Sequence, residues 1–133
     1  MSREPRIGVY ICRCGGNISN TVDVERVGDA VGRSEDVKLV EAEEYLCSTT
    51  GQETIEKGIE KQGLDRVVVA SCTPRMHLDT FRRAVSRAGL NPYLLEMVNI
   101  REQDSWVHDD LNAATAKAIN LIQGGVNRAR YLD

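Results

Sequence analysis

The first apolar segment of the chain reads Ile7-Gly8-Val9-Tyr10-Ile11 and continues into Cys12-Arg13-Cys14-Gly15-Gly16. A short, continuous apolar run bounded by glycine is typical of a strand that is covered on both faces of its sheet. The two glycines let the backbone turn tightly and bring N–H groups toward whatever the two sulfur atoms bind. The segment therefore predicts a buried strand over residues 7–11, followed by a functional loop over residues 12–20.

Three further strands are predicted, over residues 37–40, 66–72 and 93–100, with the first of them continuing less regularly toward Cys47. Apolar residues recur at helical spacing after each strand, so the order of elements is β-α-β-α-β-α-β-α. This alternation predicts an α/β fold, a four-stranded parallel sheet flanked by helices with right-handed crossovers. The fold would be Rossmann-like or flavodoxin-like, but no Gly-x-Gly-x-x-Gly motif follows a strand to indicate a dinucleotide site.

Capping residues and glycines predict where the helices begin and end. Thr21 or Asp23 is expected to cap the first helix, and the second is expected to begin in the stretch 48–50. The third helix is expected to begin near Leu78. The final helix is expected to fray or end at Gly124-Gly125, since glycine is a poor helix former.

Composition narrows the class of protein. The 133 residues are enough for one domain with a core, so residues 1–133 are expected to form a single α/β domain. A net charge of −3 without a basic stripe disfavours nucleic-acid binding, and no apolar run approaches the roughly 20 residues of a membrane helix. The polar first six residues lack a signal core, which predicts a cytoplasmic protein. Cytosolic cysteines rarely form disulfides, so four cysteines indicate metal or redox chemistry.

All four cysteines fall where a predicted strand gives way to a loop: Cys12, Cys14, Cys47 and Cys72. Because ligands bind outside the carboxyl ends of strands in open parallel sheets, the four thiols are expected at one rim. Four thiolates can hold an iron–sulfur cluster or a zinc ion. Two alternatives remain open, a thiol or persulfide carrier that uses Cys12 or Cys14, and separate buried cysteines that only pack as small hydrophobes.

Four segments of the sequence together resemble a known family. They cover residues 7–18, 67–77, 89–93 and 97–108, and include the motifs Cys12-Arg13-Cys14-Gly15-Gly16 and Ser71-Cys72-Thr73-Pro74-Arg75. In these segments, and over almost the whole chain, the sequence resembles the amino-terminal iron–sulfur domain of the heterodisulfide reductase A subunit.

The resemblance implies a cofactor and a role. The cofactor would be a [4Fe–4S] cluster, held by the four positions that match the family's motif cysteines, Cys12, Cys14, Cys47 and Cys72. The role would be electron transfer in an oxidoreductase of anaerobic metabolism that uses flavin-based electron bifurcation or confurcation. Its partners would be a flavin-containing region or subunit of the same complex and other iron–sulfur subunits. We expect this chain to relay electrons and to catalyse nothing alone.

The sequence departs from the family pattern in two places. Asp104 stands where the family usually has a cysteine, so its carboxylate is a less favoured alternative ligand to the four thiolates. The family also continues into a flavin-binding region, whereas this sequence stops at Asp133. The resemblance therefore does not carry flavin chemistry over to this chain.

Overall fold

The computed structural model of the chain describes residues 5–13, 23–34, 36–71, 74–100 and 111–131, except for the side chains of residues 74–77 and 111–112. Within these ranges four strands alternate with four α-helices. The strands are β1 (Ile7–Cys12), β2 (Val37–Glu43), β3 (Arg66–Ser71) and β4 (Leu95–Asn99). The helices are α1 (Val24–Gly32), α2 (Thr49–Gln62), α3 (Pro74–Arg87) and α4 (Leu111–Arg130).

The four strands form one parallel sheet in the order β2-β1-β3-β4. The central strands β1 and β3 are the two most apolar runs of the sequence, and they are buried along almost their whole length. The edge strand β2 has no fully buried residue. The predicted four-stranded parallel α/β fold is confirmed.

The sheet separates two helical layers. Side chains of successive strand residues point to opposite faces, so Val9 and Ile11 pack with α1 and α4, whereas Tyr10 and Cys12 pack with α2 and α3. Each layer has its own hydrophobic cluster. None of the helices in the described ranges has the length and hydropathy that crossing a membrane requires.

Two predicted helix starts are confirmed by capping contacts. Asp23 caps α1, because its side chain accepts a hydrogen bond from the Arg26 N–H at 3.2 Å. Ser48 caps α2 in the same way, and Gly63 ends that helix in a left-handed conformation with φ of 61°. Glycine adopts this conformation without steric cost.

Two predicted boundaries are wrong, and a proline accounts for each. Helix α3 begins at Pro74 and not near Leu78, because proline is well suited to the first helical position. Strand β4 begins at Leu95 and not at Tyr93, because a 3₁₀ turn over Pro92–Leu94 precedes it. The Asn91 side chain stabilises this turn by accepting the Tyr93 N–H at 2.9 Å.

The expected end of the last helix at Gly124-Gly125 is also wrong, since α4 continues to Arg130. A Cβ atom at residue 125 would overlap Cγ2 of Val98 in β4, whereas one at residue 124 would meet only the tip of Arg128 at 3.5 Å. Gly125 therefore allows α4 to approach the sheet closely.

The substitution Gly125→Ala is expected to lower the free energy of unfolding by about 1–3 kcal/mol, the usual cost of overpacking a core. Gly124→Ala is the matched control, because alanine is favoured over glycine inside a helix by up to about 1 kcal/mol. Urea unfolding of both variants measures the difference. Equal stability of the two variants would show that α4 does not depend on this close approach.

Tyr10 is a second test of the core, because its side chain is fully buried against Gly58 of α2 and no described residue forms a hydrogen bond with its hydroxyl. Burial, assisted by the Glu41 carboxylate, raises the pKa of Tyr10 well above its ordinary value near 10. The folded chain therefore holds this proton at pH values where the unfolded chain releases it. The contribution of Tyr10 to the free energy of unfolding then falls as the pH rises above about 10.

Tyr10→Phe is expected to leave the free energy of unfolding unchanged or to raise it by about 1 kcal/mol, because it removes a buried hydroxyl without a partner. It should also reduce the loss of stability above about pH 10. Urea unfolding at about pH 7 and at about pH 10.5 measures both effects. A variant that is clearly less stable near neutral pH would show that the hydroxyl has a partner that stabilises the fold.

Candidate functional site

The carboxyl ends of the strands meet at one rim of the sheet. Cys12 pairs with Glu43 of β2, and the pairing of Ile11 with Ala70 places Cys12 level with Ser71. Two backbone hydrogen bonds continue beyond the strands, from the Arg13 N–H to the Glu43 carbonyl at 2.8 Å and from the Ile100 N–H to the Ser71 carbonyl at 2.9 Å. The last residues of neighbouring strands are thus held side by side.

Cys12 lies at the end of the central strand β1 and is only 4% exposed. Its sulfur accepts a hydrogen bond from the Leu46 N–H at 3.4 Å and donates its own proton to the Glu44 carbonyl at 3.6 Å. Both contacts come from the loop that follows β2. The sulfur atom is therefore held in place by backbone groups from the neighbouring strand's loop.

Cys47 lies in the same loop, next to the Leu46 residue that contacts Cys12. Its half-buried side chain packs against the hydrophobic cluster that contains Cys12. Neither of these two cysteines is in a disulfide. The structure thus brings two of the predicted site residues into one loop–strand junction, on the α2–α3 side of the sheet.

Contacts with the start of α2 fix this loop. The Ser48 hydroxyl donates to the Tyr45 carbonyl at 2.7 Å and accepts the Gly51 N–H at 3.1 Å. The Gln52 side-chain amide donates to the Cys47 carbonyl at 2.8 Å. Because Cys47 comes directly before the cap of α2, the partial positive charge of the helix N-terminus faces the same rim and favours a negatively charged group there.

Gly51 makes the close approach of α2 to this loop possible. A Cβ atom at this position would lie 2.5 Å from the Leu46 Cα and carbonyl oxygen and from the Tyr45 carbonyl oxygen. These are backbone atoms, which cannot move aside as a flexible side chain can. Gly51 is therefore a positioning residue for the loop that carries Cys47.

The other predicted site residues, Cys14, Cys72 and Asp104, lie outside the described residues. So do Gly15 and Gly16, which the sequence indicated as backbone donors to the sulfur atoms. Among the residues that the structure describes, no three histidine, cysteine or acidic side chains converge as a metal site would require. The ligand set Cys12, Cys14, Cys47 and Cys72 stays a prediction.

Sequence reasoning missed two contributors to this junction, the Leu46 N–H and Gly51. The N–H group is invisible in a sequence because every residue except proline has one. Gly51 gave a weak signal in the sequence. Glycine is unfavourable inside a helix, so its presence in the first turn of α2 indicates a packing requirement at that position. The reason lies in the tertiary contact with the preceding loop.

The fold and the site place this chain in a class of protein, the parallel α/β domains that carry thiols at the carboxyl rim of the sheet.

No family model matches the sequence. The chain is 54% identical over 128 residues to the A subunit of the ferredoxin:CoB–CoM heterodisulfide reductase of Methanosarcina mazei. It is 53% identical over 131 residues to the second iron-sulfur A subunit of the CoB–CoM heterodisulfide reductase of Methanopyrus kandleri. It is 52% identical over 131 residues to the A subunit of the H(2):CoB–CoM heterodisulfide,ferredoxin reductase of Methanothermobacter thermautotrophicus.

These alignments cover 96–98% of the chain, which therefore corresponds to a domain-sized segment of the heterodisulfide reductase A subunit. The resemblance that the sequence motifs indicated is confirmed. The chain spans 16% of the length of the Methanosarcina relative and 20% of the other two.

Proposed function

We propose that this chain binds an iron–sulfur cluster at the carboxyl rim of its sheet and transfers single electrons within a complex of the heterodisulfide reductase type. The observation that carries the proposal is the junction of Cys12 and Cys47, where the loop that carries Cys47 packs against the end of β1 and directs a backbone N–H at the Cys12 sulfur. The name of the Methanopyrus relative, which describes it as iron–sulfur, supports the proposal.

The cluster is a [4Fe–4S] cluster with Cys12, Cys14, Cys47 and Cys72 as ligands. The described residues fit such a group, because Cys12 and Cys47 supply sulfur, and the Leu46 N–H and the N-terminus of α2 favour negative charge beside them. Cys14 follows Cys12 by two residues, and Cys72 directly follows Ser71, which lies level with Cys12. Asp104 is not a ligand in this proposal, because thiolate is the usual ligand of such clusters.

The bound cluster supplies one-electron exchange. The chain's own residues supply the surroundings that set how readily this exchange occurs. When the Cys12 thiol loses its proton, its bond to the Glu44 carbonyl ends and the bond from the Leu46 N–H becomes stronger, because the acceptor is now charged. Leu46 is fully buried and keeps water from that side of the sulfur. The partners in electron transfer are other iron–sulfur subunits, together with a region or subunit that contains flavin.

The experiment that tests this function is the iron and acid-labile sulfide content of protein prepared without oxygen, together with its electron paramagnetic resonance spectrum. We expect about four iron and four sulfide per chain and a signal that appears on reduction. One zinc without sulfide would instead indicate a structural zinc site. No metal, even after reconstitution, would favour thiol chemistry at Cys12 or Cys14.

A further inference from the structure

A cavity of about 420 Å³ lies between helix α3 and the turn that precedes strand β4. The turn contributes Pro92 and Tyr93 to its wall. The helix contributes four side chains at the spacing i, i+3, i+4 and i+7, which share one helix face: Asp79, Arg82, Arg83 and Ser86. Tyr93 comes just before β4 begins, so the cavity reaches the amino end of the sheet, away from the rim that carries Cys12.

The two arginines of this cavity have no counter-ion in the part of the chain that the structure describes. Asp79 lies three and four positions before Arg82 and Arg83, a spacing that favours ion pairs on a helix, yet it pairs with neither. Arg87, one turn further along α3, shows the contrast, because its guanidinium donates to two side chains of α2 at 2.7 and 3.2 Å. Two guanidinium charges therefore remain uncompensated in one cavity.

An aromatic ring holds Arg82 in place. The guanidinium carbon of Arg82 lies 5.2 Å from the centre of the Tyr93 ring, which is a cation–π contact. Its Nε atom is buried without a hydrogen-bond partner among the described residues, so the two terminal nitrogens supply the donors that can face the cavity. Two N–H groups in this fixed fork match two oxygen atoms of one oxyanion.

The remaining lining groups indicate what else the ligand carries. Tyr93 is 69% exposed, so much of its ring stays open even with Arg82 against it, and a planar ring can stack there. The Asp79 carboxylate is an acceptor only, which suits a hydroxyl group of the ligand. A phosphate monoester carries about 1.5 to 2 negative charges, which two guanidinium groups balance more closely than they balance one carboxylate.

We propose that this cavity binds a nucleoside phosphate. Arg82 and Arg83 hold the phosphate group, and the base stacks on Tyr93. Asp79 accepts a hydrogen bond from a sugar hydroxyl. The cavity volume lies within the range of about 300–1,000 Å³ that is typical of small-molecule sites. The site does not include a cysteine, so the proposal does not rest on the iron–sulfur cluster.

The experiment is isothermal titration calorimetry of the chain with AMP, inorganic phosphate and adenosine. We expect AMP to bind at least about tenfold more tightly than either fragment, because only AMP uses both the arginines and the ring. Arg83→Gln, at an exposed position, should weaken AMP binding about tenfold. Lys117→Gln is the matched control for the lost charge, because Lys117 is exposed on α4, and it should leave AMP binding unchanged.

Two further variants separate the roles of the ring and of the local charge. Tyr93→Ala should weaken AMP binding about tenfold and phosphate binding much less, because stacking is lost. Asp79→Asn should tighten the binding of both anions severalfold, since it removes a like charge. Absence of AMP binding at about 10 mM, where even a millimolar site is filled, would overturn the proposal. AMP binding that is no tighter than phosphate binding, or that is unchanged by Arg83→Gln, would overturn it as well.

Discussion

Replacing Cys12 with serine is expected to lower the iron content from about four to less than one per chain. Cys12 ends the central strand of the sheet, and its buried sulfur is held by the Leu46 N–H and the Glu44 carbonyl. A serine hydroxyl can form the same two hydrogen bonds but is a far poorer ligand for iron than a thiolate. The fold should therefore persist while the cluster is lost. Iron and sulfide assays, with circular dichroism as a measure of folding, test this result.

Asp104→Ala is the matched control for this experiment, because it removes the only carboxylate that the sequence offers as an alternative ligand at a family cysteine position. We expect this variant to keep its iron and its paramagnetic signal. Cys72→Ser should behave like Cys12→Ser. If Asp104→Ala lost the cluster with its fold intact, the four-cysteine ligand set would be wrong.

Gly51→Ala is expected to lower both the stability of the chain and its iron content, although it leaves the proposed ligands untouched. The added Cβ would meet three backbone atoms of Tyr45 and Leu46 at 2.5 Å, so either α2 or the loop must move. Overpacking of this kind costs about 1–3 kcal/mol of unfolding free energy. Because the displaced loop carries Cys47 and the Leu46 N–H, the variant should also bind less iron at saturation.

Gly28→Ala provides the comparison, since its Cβ in α1 would meet only Val40 Cγ1 at the ordinary distance of 3.6 Å. Alanine at that helical position should raise stability by up to about 1 kcal/mol and leave iron binding unchanged. Urea unfolding and iron titration of the two variants give the result. Equal stability and iron content in both would mean that Gly51 does not position the loop.

The fold was predictable because its strands carry an unusually clear pattern. β1 and β3 are continuous apolar runs, as strands covered on both faces must be, and Gly63 and Ser48 mark helix ends by their own conformational preferences. Local chemistry of this kind acts within a few residues and can be recognised in the sequence. The placement of Cys12 and Cys47 followed from topology alone, because parallel strands end at a common rim.

What the sequence did not reveal depends on contacts between distant residues. Gly125 looked like a helix end, but it is a point of contact with Val98, 27 positions earlier in the chain (125 against 98). The hydrogen bond from Leu46 to Cys12 joins residues 34 positions apart. Pro74 is a different case, because proline at a helix start is a local signal that outweighs the apolar spacing beginning near Leu78.

Because the sheet divides the core into two layers, oxidation of the described cysteines would affect one layer more than the other. Cys12 and Cys47 both belong to the cluster of side chains beneath α2 and α3, while the cluster beneath α1 and α4 contains no cysteine among the described residues. Oxidation of either sulfur atom would therefore disturb first the packing between the sheet and helices α2 and α3.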